Sequence, residues 1–261
     1  MARRSFLGNL RLALLFGVLL FVAVGAWLDR RRSRDWDAPL RVTVYVLTAG
    51  ADEGSRSYAA GLDDDSFDDV ETFLAEQAAA YGLPLAEPMR VRVSRAARAL
   101  PPDPGAEPGL VSVVLWSLRM RWWAWRVAAN DPLPPPDIQL FAIYHPEVTG
   151  QPLPDSLGLS KGLVAVARLF AGPGSADANQ VVILHELLHT LGASDKYDPR
   201  NGRPLEPDGL GDPAQDPRYP QTQGEIMAGR IAVSGTRAEL PNALADMVIG
   251  PATAREIGWT R

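Results

Sequence analysis

Hydrophobic and polar positions alternate along this chain in blocks that predict its elements. Leu12 to Leu28 is a run of seventeen uncharged residues, and Phe6 to Leu10 extends its apolar character. A bilayer core needs about 20 residues of helix, so this run predicts a membrane segment. Beyond it, Val42-Thr43-Val44-Tyr45-Val46 alternates as a half-buried strand does. Residues 51–65 are acidic and contain glycine, which predicts a loop. Ser66 reads as an N-cap for a helix carrying Phe67, Val70, Phe73, Leu74, Ala78 and Tyr81 at helical spacing, with Gly82 ending it. Met89 to Ser94 predicts a second strand, and a Pro-rich loop covers 101–109. Val111, Val114, Leu115, Leu118, Trp122 and Trp125 form a helical stripe with Arg119, Arg121 and Arg126 mostly off it. Such a stripe is by default a core-packing face. Trp and Arg together also suit a helix lying in a membrane interface. After prolines 132 and 134–136, Ile138 to Tyr144 and Gly162 to Phe170 read as strands. Asn242 can cap a short helix running to Ile249, which Pro251 interrupts before a last turn reaches Gly258 and Trp259.

Charge sharpens the reading of the start. Residues 1–35 hold seven arginines and two aspartates, while the remaining chain carries a net of −10. Arg3, Arg4 and Arg11 precede the apolar run, and Arg30, Arg31, Arg32 and Arg34 follow it. Basic residues on both sides leave orientation undetermined. An uncleaved anchor with interfacial Trp27 is favoured over a signal peptide cleaved near Val24-Gly25-Ala26, because the arginine cluster just beyond that site would hinder export. An acidic body is a poor nucleic-acid binder. The absence of cysteine in all 261 residues excludes disulfides, thiolate metal sites and a cysteine nucleophile.

The chemistry gathers between 177 and 198. Asp177, with Gln180 three residues on, reads as the cap of a helix that contains His185, Glu186 and His189. At 3.6 residues per turn the two histidines lie about 40° apart around the axis, and Leu184, Leu187 and Leu191 point away from them. Two imidazoles on one face suit two ligands of one zinc ion, with Glu186, about 100° round from His185, placed to reach a water rather than the metal. Gly192 can take the left-handed conformation that ends a helix and turns the chain back. Asp195, three residues on, can then return as third ligand.

The spacing His185-Glu186-x-x-His189-x-x-Gly192-x-x-Asp195 resembles the metzincin clan of zincin metallopeptidases, in the aspartate variant of snapalysin-like enzymes. Glu225-Ile226-Met227-Ala228-Gly229 looks like the Met-turn of that clan, with Met227 beneath the metal; ordinary core filling is the competing reading of Met227. The resemblance is close over about 162–230. It implies an α+β zincin domain over 36–261 behind the 1–35 anchor: a twisted mixed sheet and active-site helix in an upper part (about 40–192), and a smaller lower part (about 193–261). It also implies zinc as cofactor, a protein or peptide substrate, and the strand at 162–170 at the edge of the cleft. Because most relatives act on exported proteins, it places the body on the extracytoplasmic side, the periplasmic face of a bacterial inner membrane. Glu186 is then the general base of peptide-bond hydrolysis.

Other readings stay open. A zinc hydrolase of a non-protein amide and a non-catalytic zinc-stabilised binding domain both fit the ligand set, although a domain freed from catalysis has no need of Glu186. His145 and Asp198 are alternative third ligands, and Tyr197 or Tyr219 can donate to an oxyanion. Asp198, Asn201, Asp208, Asp212 and Asp216 offer oxygen donors for calcium, against the default of a solvated loop. Oligomeric state is not legible.

Overall fold

In the computed structural model, the described residues are 35–50, 52–103, 105, 110–147, 156–159 and 163–260, with Gly8 and Gly17. The apolar run 12–28 otherwise lies outside them. Among the described residues no helix is long and apolar enough to cross a membrane.

A five-stranded sheet organises the rest. Its strands are β1 (Leu40–Thr48), β2 (Met89–Ser94), β3 (Ile138–His145), β4 (Leu157–Leu159) and β5 (Val164–Phe170), in the order β2-β1-β3-β5-β4. The first four in that order are parallel, and β4 runs antiparallel to β5. The molecule is therefore a mixed α/β structure built on a mostly parallel sheet. The helices are α1 (Glu53–Gly61), α2 (Asp68–Ala80), α3 (Leu110–Ala129), α4 (Ala176–Leu191) and α5 (Pro251–Glu256). Beyond α4 the chain forms two-residue ladders: β6 (Tyr197–Asp198) with β7 (Arg203–Pro204), β9 (Ile231–Ala232) with β10 (Ala238–Glu239), and β8 (Gly224–Glu225) with β11 (Met247–Val248).

Parallel sheets are covered on both faces, and β1 shows the consequence. Val42 to Val46 is buried throughout instead of alternating. One face packs with Leu74 of α2 and Leu184, Leu187 and Leu191 of α4. The other meets α3, where Phe141 stacks on Tyr45 at 4.9 Å and meets Trp123 at 4.6 Å. The first cluster continues past α4 into Ile226, Met227, Met247 and Ile257.

Several expectations are corrected. The acidic stretch 51–65 contains α1, capped by the Asp52 carboxylate accepting from Ser55 N at 2.7 Å. Only Ser55 and Ala59 of this helix are buried, too small a face to read from periodicity. Ser66 is not the N-cap of α2; it lies within a 3₁₀ turn at Asp65–Phe67 and exchanges bonds with Asp63, and Phe67 is the N-cap. Asp177 does not cap α4, whose N-cap is Ser175, and Gln180 instead donates to Ser66 O at 2.6 Å. Residues 242–249 are not a helix. Leu244–Asp246 is a 3₁₀ turn followed by β11, because Gly224–Glu225 offers a backbone to pair with. Pro251 starts α5 rather than breaking one, as its missing N–H permits at a first helical position. The strand expected over 162–170 runs from Val164 to Phe170 and cannot pair with an extended substrate, since β3 and β4 occupy its two sides. The apolar stripe of α3 does not pack on the core: Met120 and Ala124 do, while Leu115, Leu118, Trp122 and Trp125 are exposed.

The chain enters the fold at Trp36, whose indole donates to Ile257 O at 2.8 Å and meets Trp259 edge-on at 5.8 Å. Trp36→Ala removes that buried ring and leaves a carbonyl without its donor. It should cost about 3–5 kcal/mol, measured as a lower urea midpoint for the full chain in detergent; an unchanged midpoint contradicts the packing described.

Candidate metal centre

Helix α4 delivers both histidines. Its buried side carries Val181, Leu184, Leu187 and Leu191, so His185 and His189 face away from the sheet, with ring centroids 4.6 Å apart. Gly192 ends the helix in the left-handed region at φ 96°, and Ala193 N donates back to Leu188 O at 3.0 Å. Side chains rarely adopt that φ, which is why glycine stands there. The reversal returns Asp195 to the histidines: its Oδ1 lies 3.2 Å from His185 Nε2 and 3.2 Å from His189 Nε2, and those two nitrogens are 3.0 Å apart.

The partners of the far nitrogens fix the tautomers. His185 Nδ1 is 3.0 Å from Ile226 O, and His189 Nδ1 is 2.9 Å from Ala193 O. A carbonyl only accepts, so both Nδ1 atoms carry hydrogen. In neutral rings both Nε2 lone pairs then face each other and a carboxylate oxygen. Without a cation that arrangement is repulsive unless a ring is protonated. Burial opposes protonation of His189, but the bonds to Asp195 and to the Ala193 carbonyl outweigh it and raise its pKa. Burial likewise pushes Asp195 up, and its bonds to His185 and His189 more than reverse this, holding it well below the ordinary carboxylate range. The three donor atoms form a near-equilateral triangle. A tetrahedral ion with bonds of about 2.0–2.1 Å sets its ligands about 3.3 Å apart, so the donor set fits a zinc-sized ion. Among the described residues this is the one group of three such ligand side chains that converges.

Glu186 lies on the same helix and is buried. Its Oε2 has no hydrogen-bond partner. Burial raises its pKa, opposed by the nearby His185 and His189. Beside His185 opens a cavity of about 320 Å³ lined by Phe170, Val181, Val182, Leu240 and Pro241, with Arg168 also on its wall.

The other candidates do not join this group. His145 ends β3, and burial lowers its pKa. The Asp198 carboxylate is held by Arg200 and Asn201. Asp208, Asp212 and Asp216 do not converge with it, so the carboxylates suggested for calcium form no such group. Tyr197 belongs to the β6–β7 ladder, and the Tyr219 hydroxyl is bonded to Glu206.

Sequence reasoning missed two carboxylates that set the geometry. Glu225 is fully buried. Its Oε2 accepts from Met227 N at 2.6 Å and Ala228 N at 3.1 Å, and its Oε1 from Gly250 N at 3.2 Å and Thr253 Oγ1 at 2.6 Å. It thereby shapes the 225–229 turn that presents Ile226 O to His185, with Met227 wholly buried in the core. Glu256 of α5 accepts from Ser194 N, Ser194 Oγ and Lys196 Nζ at 2.9, 2.8 and 2.7 Å, gripping the chain on both sides of Asp195. Gly250 and Thr253 stand 25 and 28 positions from Glu225, and Ser194 and Lys196 stand 62 and 60 positions from Glu256, so neither role has a local signal. No known protein family matches this chain by sequence, and no curated protein aligns with it significantly.

Burial raises the Glu256 pKa, but Lys196 and Ser194 outweigh it and hold it below the ordinary glutamate value. A lowered folded-state pKa contributes stability that is complete above the unfolded value and is lost as pH falls through the folded one. Glu256→Gln should therefore destabilise the chain at neutral pH by about 1.5–3 kcal/mol. The difference from wild type should shrink on acidification, read from urea midpoints between neutral and acid pH. A constant difference contradicts an ionised clamp.

Proposed function

We propose that the chain is a membrane-anchored zinc endopeptidase with His185, His189 and Asp195 as metal ligands and Glu186 as general base. The observation that carries this reading is the triangle of His185 Nε2, His189 Nε2 and Asp195 Oδ1, 3.0–3.2 Å on each side, whose lone pairs converge on one point. The mixed sheet is compatible with the metzincin resemblance, which rests on the motif at 185–195 and the turn at 225–229. The apolar run 12–28 supplies the anchor, and the body lies on the extracytoplasmic side.

A zinc ion with three protein ligands is a Lewis acid that brings the pKa of a coordinated water to about 7. The residues supply the rest. Nδ1–H bonds to Ile226 O and Ala193 O hold both imidazoles in the ligating tautomer and orientation. Glu186 Oε2, free of other bonds, takes a proton from the attacking water and returns it to the leaving amine nitrogen as the carbon–nitrogen bond breaks. Its burial raises its basicity toward the working pH. The cavity beside His185 receives one apolar side chain of the substrate. The edge of β4, the last strand of the sheet among the described residues, and not β5, pairs with an extended peptide backbone.

Two variants test the assignment on the full chain. Glu186→Gln should retain bound zinc and the fold and lose roughly 10²–10⁴-fold of peptide cleavage; near wild-type turnover with zinc bound sinks the general-base role. Asp195→Ala should lose zinc affinity and activity together, Asp195→His should keep metal, and Asp198→Ala and His145→Ala should leave zinc affinity unchanged. Zinc retained by Asp195→Ala at wild-type affinity removes the third ligand from the proposal. Zinc bound tightly with no cleavage across a peptide library points instead to a non-protein amide or a binding domain.

A further inference from the structure

Helix α3 is apolar on two opposite sides. Met120 and Ala124 are buried against Tyr45 and Phe141. At 100° per residue, Val114, Leu118, Trp125, Trp122 and Leu115 fall in an arc of about 100° on the other side. All five are at least half exposed, and Trp125 is 64 % exposed. Six of the nine exposed large hydrophobic residues among the described ones belong to this single helix, Val113 being the sixth. Arg121 borders one flank of the arc and Arg119 and Arg126 the other, and the helix contains no acidic residue. The Arg126 guanidinium sits over the Trp122 ring at 4.9 Å.

We propose that this outward face of α3 docks onto a bilayer containing anionic lipid, with the helix lying along the interface. Three observations select a lipid surface. Charge is the first: the chain beyond residue 35 carries a net of −10, so an anionic surface repels most of it, while α3 presents three arginines and no carboxylate. Placement is the second. Gln139 Nε2 donates to Ala124 O, and Asp137 pairs with Arg41, so the Trp122–Trp125 end of the helix lies at the end of the sheet where β1 begins. Only six residues separate Leu28, the end of the uncharged run, from Asp35. At about 3.3–3.6 Å per residue that linker spans little more than 20 Å, which holds this end of the sheet close to the lipid. Amphipathic character is the third: Trp at headgroup depth with arginine on the flanks is what an interfacial helix requires, and α3 is not apolar enough to cross. The placement argument rests on the anchor reading above; the other two do not.

The chain has no cysteine, so a single introduced one can carry a spin label. The full chain, with a label at Leu118→Cys, Trp125→Cys, Leu20→Cys or Asp69→Cys, is reconstituted into phosphatidylethanolamine–phosphatidylglycerol vesicles. Collision with dissolved oxygen is compared with collision with an aqueous nickel chelate. Labels at 118 and 125 should lose nickel collisions and report a depth of about 5–10 Å below the phosphates. The label at 69, exposed on α2, should stay fully aqueous. Nickel access at 118 and 125 equal to that at 69 overturns the proposal. Dipolar broadening between labels at 125 also overturns it, because a second copy of the chain then covers the face. The label at 20 reports the anchor separately: lipid depth at 20 with water at 125 retains the anchor and rejects the docking, while water at 20 with interfacial depth at 125 does the reverse.

Discussion

The Glu225 carboxylate is the constraint on which the geometry of the centre depends. Four donors converge on it from two separate pieces of chain, the turn at 227–228 and the start of α5 at Gly250 and Thr253. Burial alone pushes its pKa up, and the donors from Thr253, Gly250 and Met227 oppose that. A buried carboxylate that loses one donor pays heavily in desolvation, so the four bonds hold together or fail together. Gly250 is part of the arrangement, since a Cβ there would lie 2.9 Å from Glu225 Cγ. Through this knot the Ile226 carbonyl is fixed opposite His185 Nδ1, and the imidazole is aimed before any ligand arrives.

The second half of the centre hangs on the same short helix. Glu256 stands one turn beyond Thr253 on α5 and holds Ser194 and Lys196. The backbone at Asp195, between them, cannot shift away from the histidines without breaking a partly buried ion pair. One side of the ligand set is thus aimed through Glu225 and the other through Glu256. Helix α4 itself needs neither, because its leucines are locked into the core under the sheet. The three converging side chains come from a rigid helix and a loop, and the loop is made rigid by polar contacts where apolar ones are lacking.

What was legible in the sequence follows from range. His185, His189, Gly192 and Asp195 lie within eleven positions, so helical geometry and one left-handed residue determine how they meet, and the spacing carried that information. The strands at 138–145 and 164–170 were legible because largely apolar runs suit a sheet covered on both faces, and the edge strand at 89–94 because Met89, Val91 and Val93 alternate with Arg90 and Arg92. Helix α1 was not, because it buries little and its acidic surface reads as loop. The 242–249 segment failed for a different reason: its capping signals were local, and pairing with Gly224–Glu225 overrode them. Glu225 and Glu256 could not be read at all, since their partners stand up to 62 positions away. The stripe on α3 was read with the right periodicity and assigned to the wrong side. Periodicity identifies an apolar face and does not say whether protein covers it; here the smaller Met120–Ala124 face fits against Phe141, and the larger one is left outside.

The two ends of the described chain close this arrangement. Trp36 is buried in an otherwise uncommon left-handed conformation at φ 52°, which its bond to Ile257 O and its contact with Trp259 hold in place. Trp259 also meets Tyr81, whose hydroxyl donates to Ile249 O at 2.7 Å. Ile249 and Ile257 bracket α5, the helix that carries Glu256 and the Thr253 donor to Glu225. The point at which the chain enters the fold, the C-terminal helix and the loop bearing Asp195 therefore share one set of contacts. Trp36 is separated from Asp195 by only Ile257, Glu256 and Ser194, each joined to the next by a covalent or hydrogen bond, so one short helix supports both the chain's entry point and the loop that bears Asp195.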